Sequence, residues 1–144
     1  MQFENQFRAA EQHKTPISVV MIDLDLFKDI NDHHGHAVGD GALRTLAGIL
    51  LEKSVSGAIA ARVGGDEFAL LMPSCPLEQA VIVAERVRAR VGLPTKQNLD
   101  CKLTVSVGVA CFPLHANSQN SLYTAADKAL YRAKTSGRNR VCVA

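Results

Sequence analysis

Arg62-Val63-Gly64-Gly65-Asp66-Glu67-Phe68-Ala69-Leu70-Leu71-Met72 places a glycine pair between two apolar, strand-like runs and follows it at once with two carboxylates. A Gly-Gly pair in that setting predicts a two-residue β-hairpin, because both central residues of a type I′ turn need φ > 0. Asp66 and Glu67 then stand where a tight turn enters a strand. Bare glycines let a large ligand approach the backbone, and carboxylate oxygens beside them suit a hard divalent cation. A solvated turn is the plain alternative, since Gly, Asp and Glu are ordinary turn residues.

Outward from the hairpin, the pattern gives the other elements. Ile17–Ile22 is an almost unbroken β-branched run that predicts a central strand buried on both faces, ending in Asp23-Leu24-Asp25. Residues 3–12, with Phe3, Phe7 and Ala10 at helical spacing, predict an amphipathic helix before it. Phe27–Asp32 reads as a short helix closed by Gly35, and Val38 opens a longer one to about Lys53. Ala58–Val63 and Phe68–Met72 are the hairpin arms. Leu77–Val91 is amphipathic and is stopped by Gly92 and Pro94. Leu103–Cys111 alternates larger apolar residues with Thr104, Ser106, Gly108 and Ala110, a strand with one small-residue face. Ser121–Lys134 is a helix stopped by Gly137, and Val141–Val143 a last short strand. The order predicts an α/β sandwich, a mixed and mostly antiparallel sheet flanked by helices, with one domain over residues 1–144.

Composition narrows the function classes. Of 144 residues, 47% are apolar and 21% charged, as in a soluble globular domain. No apolar run approaches the roughly 20 residues of a membrane span, and the start lacks the pattern of a secretory signal. A net charge of +2 neither demands nor excludes nucleic acid, but the lack of a basic track and aromatics at only 5% argue against such a partner. Cys75, Cys101, Cys111 and Cys142 form no Cys-x-x-Cys pair and read as reduced thiols of a cytoplasmic protein.

Asp23 ends the first strand and the hairpin presents Asp66 and Glu67. If the two strands pair, these acids meet at one sheet end. Two carboxylates and a backbone carbonyl make a Mg²⁺ site, since that ion fills its remaining positions with water and phosphate oxygens. Lys28 and the start of the short helix could meet phosphates. Asn31 and Asp40 together suit guanine, whose N1–H and N2–H₂ donate to a carboxylate. Lys134 and Arg138 are either dipole compensation at a helix end or phosphate contacts. The second role requires that helix end to fold back toward Asp23.

Six ordered motifs now line up: Asp23-Leu24-Asp25-Leu26-Phe27-Lys28-Asp29-Ile30-Asn31-Asp32, Gly35-His36-Ala37-Val38-Gly39-Asp40, Arg62–Phe68, Ser106–Ala110, Ala126–Lys134 and Gly137-Arg138-Asn139. In these the chain resembles the GGDEF domains, the diguanylate cyclases, from about residue 3 to the C-terminus. The resemblance implies a nucleotidyl-cyclase, palm-like fold that condenses two GTP into cyclic di-GMP with Mg²⁺ or Mn²⁺, as a homodimer with one GTP per half-site. It implies Asp23, the Leu24 carbonyl and Asp66 as metal ligands. Asp66 is also implied as the acid that deprotonates the ribose 3′-hydroxyl, with Glu67 supporting metal and nucleotide. Phe27, Lys28, Asn31, His36, Asp40, Gly64, Gly65, Lys134 and Arg138 are implied as substrate contacts. The family's Arg-x-x-Asp inhibitory motif is replaced at Val55–Ala58, so that site is expected to be absent, while Arg86 matches a secondary product-binding arginine or is a solvated helix residue. The usual Leu-Thr-Gly-Leu turn before the first helix is also missing, which leads to the expectation of a sensory domain upstream of a cut start. Two rival readings remain at this point: a catalytically silent module that binds GTP or cyclic di-GMP for regulation, and a metal-dependent nuclease or polymerase-like domain.

Overall fold

A computed structural model of the chain describes residues 2–53, 57–93 and 102–144. Its elements run α1 (Gln2–His13), β1 (Ile17–Leu24), α2 (Phe27–His34), α3 (His36–Lys53), β2 (Ile59–Arg62), β3 (Glu67–Pro73), α4 (Leu77–Val91), β4 (Val105–Phe112), α5 (Gln119–Thr135) and β5 (Arg140–Val143). The strands form one sheet in the order β2-β3-β1-β4-β5. All pairs are antiparallel except β4–β5, which the α5 crossover makes parallel.

The apolar run of β1 is at the sheet centre and every residue of it is buried. Alternation splits its side chains between two cores. Val20, Ile22 and Leu24 join Phe68, Leu70, Val105, Val107 and Val109 under α2, α3 and α4. Ile17, Val19 and Met21 join Ala69, Leu71, Ala110 and Phe112 under α1 and α5. On that second face Phe7 of α1 meets Phe112 edge-on at 4.9 Å. The small-residue face of β4 has a packing purpose: a Cβ on Gly108 would collide with the backbone of α5 at Ala126 and Leu130. Ser118 and Ser121 form a reciprocal cap that starts α5.

The hairpin differs from the expected turn. Arg62 pairs with Phe68, and the Val63 amide donates to the Glu67 carbonyl at 2.9 Å, leaving Gly64, Gly65 and Asp66 as the loop. Positive φ among the glycines occurs at Gly35, Gly57 and Gly137 and at neither hairpin glycine, so the turn is not type I′. Arg62 holds it instead, its Nε donating to the Gly64 carbonyl at 3.1 Å and a terminal nitrogen to the Gly65 carbonyl at 2.6 Å. The hairpin glycines still leave open space, since a Cβ on Gly65 would meet nothing within 4 Å.

Phe7 and Ala10 are buried as α1's spacing predicts. The Phe3 side chain, Val55, Pro94 and Cys101 fall outside the described residues. Cys75, Cys111 and Cys142 are free thiols.

Candidate active site

The acids converge because β1 and β3 are neighbours in register. Asp23 stands opposite Glu67, and the Leu24 amide donates to the Asp66 carbonyl at 3.1 Å. Beyond β1 the chain turns sharply: Leu26, a non-glycine at φ 56° and ψ 37°, carries it into α2. A left-handed leucine is a strained residue, of a kind that persists where its surroundings over-determine it. Phe27 is half-buried and Lys28 exposed in the first turn of α2.

Lys134 satisfies the condition set by the sequence. The end of α5 folds back and its ammonium pairs with Asp23 Oδ2. The other oxygen, Oδ1, is buried without a partner among the described residues. Burial is the largest influence on this carboxyl and pushes it up from 3.8 to about 6; contact with Lys134 works downward, and the neighbouring Asp66 adds to the rise. Burial alone would lower the Lys134 ammonium, but Asp23, then Glu67 and Asp66, hold it above its ordinary value. Glu67 is also raised, first by burial and then by Asp127 of α5. The cluster is therefore an acidic concentration that one ammonium only partly offsets.

This has a stability consequence with a definite sign. An acid whose folded pKa lies above its unfolded value favours the native state when protonated, and that contribution disappears as pH rises through the folded pKa. Asp23 therefore destabilises the metal-free domain from about pH 4 upward, fully so above about pH 6. Asp23→Asn is expected to raise the melting temperature by several degrees at pH 7.5 and to change it little at pH 4. If Asp23 holds a cation, Mg²⁺ should raise the parent's melting temperature and leave that of the variant unchanged. Thermal melts at the two pH values, with and without Mg²⁺, check all three; a variant less stable at pH 7.5 would contradict the sign.

The orphaned Asp23 oxygen, with the Asp66 carboxyl as its neighbour and the Leu24 backbone next in the chain, fits a divalent cation of the Mg²⁺ class. No group of three or more His, Cys, Asp or Glu side chains among the described residues is arranged for a metal; the groups that could hold such an ion here are the Asp23 and Asp66 carboxylates and the Leu24 carbonyl.

On the other side of the hairpin, Asp40, Leu43, Arg44, Ala47, Arg62 and Phe68 line a cavity of about 240 Å³. Asn31 stands at the adjoining α2–α3 corner with its carbonyl oxygen buried and unpartnered among the described residues. A Cβ at Gly39 would overlap that oxygen and crowd Phe27. His36 begins α3 and is exposed. A larger groove, about 430 Å³, runs between α3 and α4 past Gly41, Thr45, Glu52 and Arg90. It has none of the β1 or β3 acids, so size does not choose the site.

Sequence reasoning missed Gly39, Arg62, Asp127 and Asp25. Gly39 and Arg62 carried a signal: a glycine inside a helix pattern, and an arginine just before a glycine turn. Asp127 lies on the helix face toward Glu67 and becomes visible only once α5 is placed. Arg86 of α4, the possible secondary product contact, is exposed; Ala58, where the inhibitory motif is expected to be absent, is half-buried just before β2, and Val55 is outside the described residues.

Comparison with known proteins follows the same outline. The family described as "Diguanylate cyclase, GGDEF domain" matches residues 1–140. The chain is 39% identical over 140 residues to the probable diguanylate cyclase DgcT of Escherichia coli, covering 94% of this chain and 31% of that protein. It superimposes on the active GGEEF domain of a diguanylate cyclase from Vibrio cholerae with a TM-score of 0.92 at 33% identity, covering 99% of this chain and 91% of that one. The GGDEF domain of DgcB from Caulobacter crescentus, solved in complex with c-di-GMP, gives 0.89 at 32% identity, covering 99% and 85%. The chain spans 31–38% of the length of the curated relatives it matches. With the acids of β1 and β3 side by side at the end of a β2-β3-β1-β4-β5 sheet, and with this match running nearly its whole length, the chain belongs to the diguanylate cyclase GGDEF domain family.

Proposed function

We propose that this domain, a single unit over residues 1–144, is a diguanylate cyclase that converts two GTP into cyclic di-GMP and two pyrophosphates. The observation that carries the reading is the meeting of Asp23, Asp66, Glu67 and Lys134 at one sheet end beside a cavity that Asp40 lines. Relatives named as diguanylate cyclases, and one family structure solved with c-di-GMP, support it.

Each half of the reaction forms a bond from a ribose 3′-oxygen to the α-phosphorus of the other nucleotide. The bond from that phosphorus to the bridging oxygen breaks, and pyrophosphate leaves. Asp66 takes the hydroxyl proton and, with Asp23 and the Leu24 carbonyl, would hold the cation. A bound Mg²⁺ or Mn²⁺ would supply charge neutralisation at the phosphates and make the hydroxyl more acidic. Glu67 orients the nucleotide next to these ligands. Asp40 accepts from guanine N1–H and N2–H₂, Asn31 meets its acceptor edge, and His36 and Phe27 border the nucleotide. Lys28, Lys134 and Arg138 face the phosphates, and Gly64 and Gly65 leave them room. One site holds one nucleotide, so two domains must face each other. Positioning and charge then supply most of the catalysis. The partner is thus a second copy, brought together by an upstream sensory or dimerisation region, on the cytoplasmic side. No described helix is long and apolar enough to cross a membrane.

Concentrated protein incubated with GTP and Mg²⁺ should yield cyclic di-GMP on chromatography, and ATP should not replace GTP. GTP binding without product would establish the silent, nucleotide-binding module instead. With an alanine at position 58 in place of the inhibitory acid, turnover is expected to be unaffected by micromolar cyclic di-GMP. Strong product inhibition in a titration would show that Arg86 or another site substitutes.

A further inference from the structure

Asp25 lies two residues beyond Asp23 and is as deeply buried, each at 7% exposure, yet the two carboxyls are used in opposite ways. Asp23 keeps an oxygen without a partner. Asp25 is fully engaged: Oδ1 accepts from Ser106 Oγ at 2.6 Å, and Oδ2 accepts from Thr104 Oγ1 at 2.8 Å and from the Asn139 amide at 3.0 Å. Two of those donors lie on the β4 side, and the third is in the turn after α5.

That turn is unusual. Gly137, Arg138 and Asn139 all have positive φ, at 128°, 61° and 46°. Two consecutive non-glycine residues there are costly, about 1–3 kcal/mol each, and need outside support. The Arg138 amide donates to the Ala133 carbonyl at 2.9 Å, which ties the turn to its own helix. Arg88 of α4, itself bound to Glu85 at 2.9 Å, reaches Asn139 Oδ1 at 3.3 Å. Among the described residues, Asp25 alone bonds the turn to the end of the strand that carries Asp23.

We propose that Asp25 is a positioning residue: by holding the Asn139 amide, it fixes the turn that carries Arg138 and so sets that side chain's reach toward the nucleotide's phosphates. This rests on the cyclase reading of Arg138 as a phosphate contact. The bonding pattern also specifies which replacement works. An asparagine can present its oxygen to Thr104 and Asn139 and donate its NH₂ to Ser106, whose hydroxyl rotates to accept. Alanine supplies neither. A metal ligand behaves differently, because the amide has lost the charge.

The test is calorimetric binding of 3′-deoxy-GTP with Mg²⁺, a nucleotide that cannot condense, and of GMP as a control without the β- and γ-phosphates. Asp25→Ala should weaken 3′-deoxy-GTP about tenfold or more and leave GMP nearly unchanged. Asp25→Asn should stay within about threefold of the parent. In an Arg138→Met background, Asp25→Ala should add no further loss, since it acts through that residue. If alanine prevents folding, Asp25→Ser replaces it, being polar but too short to reach Asn139. Equal losses for 3′-deoxy-GTP and GMP, additive losses with Arg138→Met, or an Asp25→Asn as weak as Asp25→Ala would each overturn the proposal. A parent that binds no 3′-deoxy-GTP would overturn the cyclase reading and this inference with it, whereas binding that needs Arg138 but ignores Asp25 would overturn the inference alone.

Discussion

Asp66→Asn should leave a folded protein that still binds GTP and makes almost no cyclic di-GMP. Loss of a positioned general base lowers kcat by about 10²–10⁴-fold, and the amide is a poorer cation ligand as well. The change is nearly isosteric. It keeps the Asp66 backbone carbonyl that accepts the Leu24 amide at 3.1 Å, so the strand junction survives. The fall should therefore appear in kcat, with the circular dichroism spectrum intact. Chromatographic assay of product under saturating GTP checks it, and turnover within tenfold of the parent would remove Asp66 from the role of base.

The largest effect on stability is expected far from that chemistry, at Gly108→Ala. Gly108 is in β4, and the added methyl would meet the Ala126 carbonyl and the Leu130 amide of α5. Those are helix backbone atoms, which cannot rotate aside as a side chain tip does. The whole of α5 has to move off the sheet, opening a core that contains Leu122, Ala126 and Leu130. Overpacking of this kind typically costs about 1–3 kcal/mol, and the upper end is expected here because both obstructing atoms belong to backbone. The denaturant midpoint should fall with little change in slope. Gly48→Ala is the internal control: it lies within α3, where a Cβ meets nothing within 4 Å, and it should stabilise by about 0.4–1 kcal/mol. Because α5 also carries Lys134, Gly108→Ala should weaken GTP binding before it unfolds the domain. An unchanged midpoint would show that α5 is held less tightly than the packing implies.

Most of the architecture was legible because it is written in local pattern. The continuous apolar run of β1, the amphipathic span Leu77–Val91 and the small-residue face of β4 all appear in the folded chain where periodicity puts them. What was misread was local chemistry with more than one solution. Gly64-Gly65 suits a left-handed turn, yet the loop is a residue longer and is organised by the Arg62 guanidinium. What was invisible was non-local. The partners of Asp25 are 79, 81 and 114 residues away, so nothing near it distinguishes it from Asp23. Gly39 stands out as a glycine inside a helix pattern, but the reason for it, Asn31 across the α2–α3 corner, is non-local.

The central position of β1 and β3 has a consequence for control. Strands buried on both faces in the middle of a sheet exchange their amides only when a whole domain opens, while termini and outer helices open far more readily. Asp23 and Glu67 thus sit on the slowest-opening part of the molecule. A signal that had to distort them would need free energy comparable to unfolding the domain. On the proposed reading, in which two such domains must face each other, changing the distance between them would demand much less, so such a domain would be regulated more economically by where it is held than by what shape it takes.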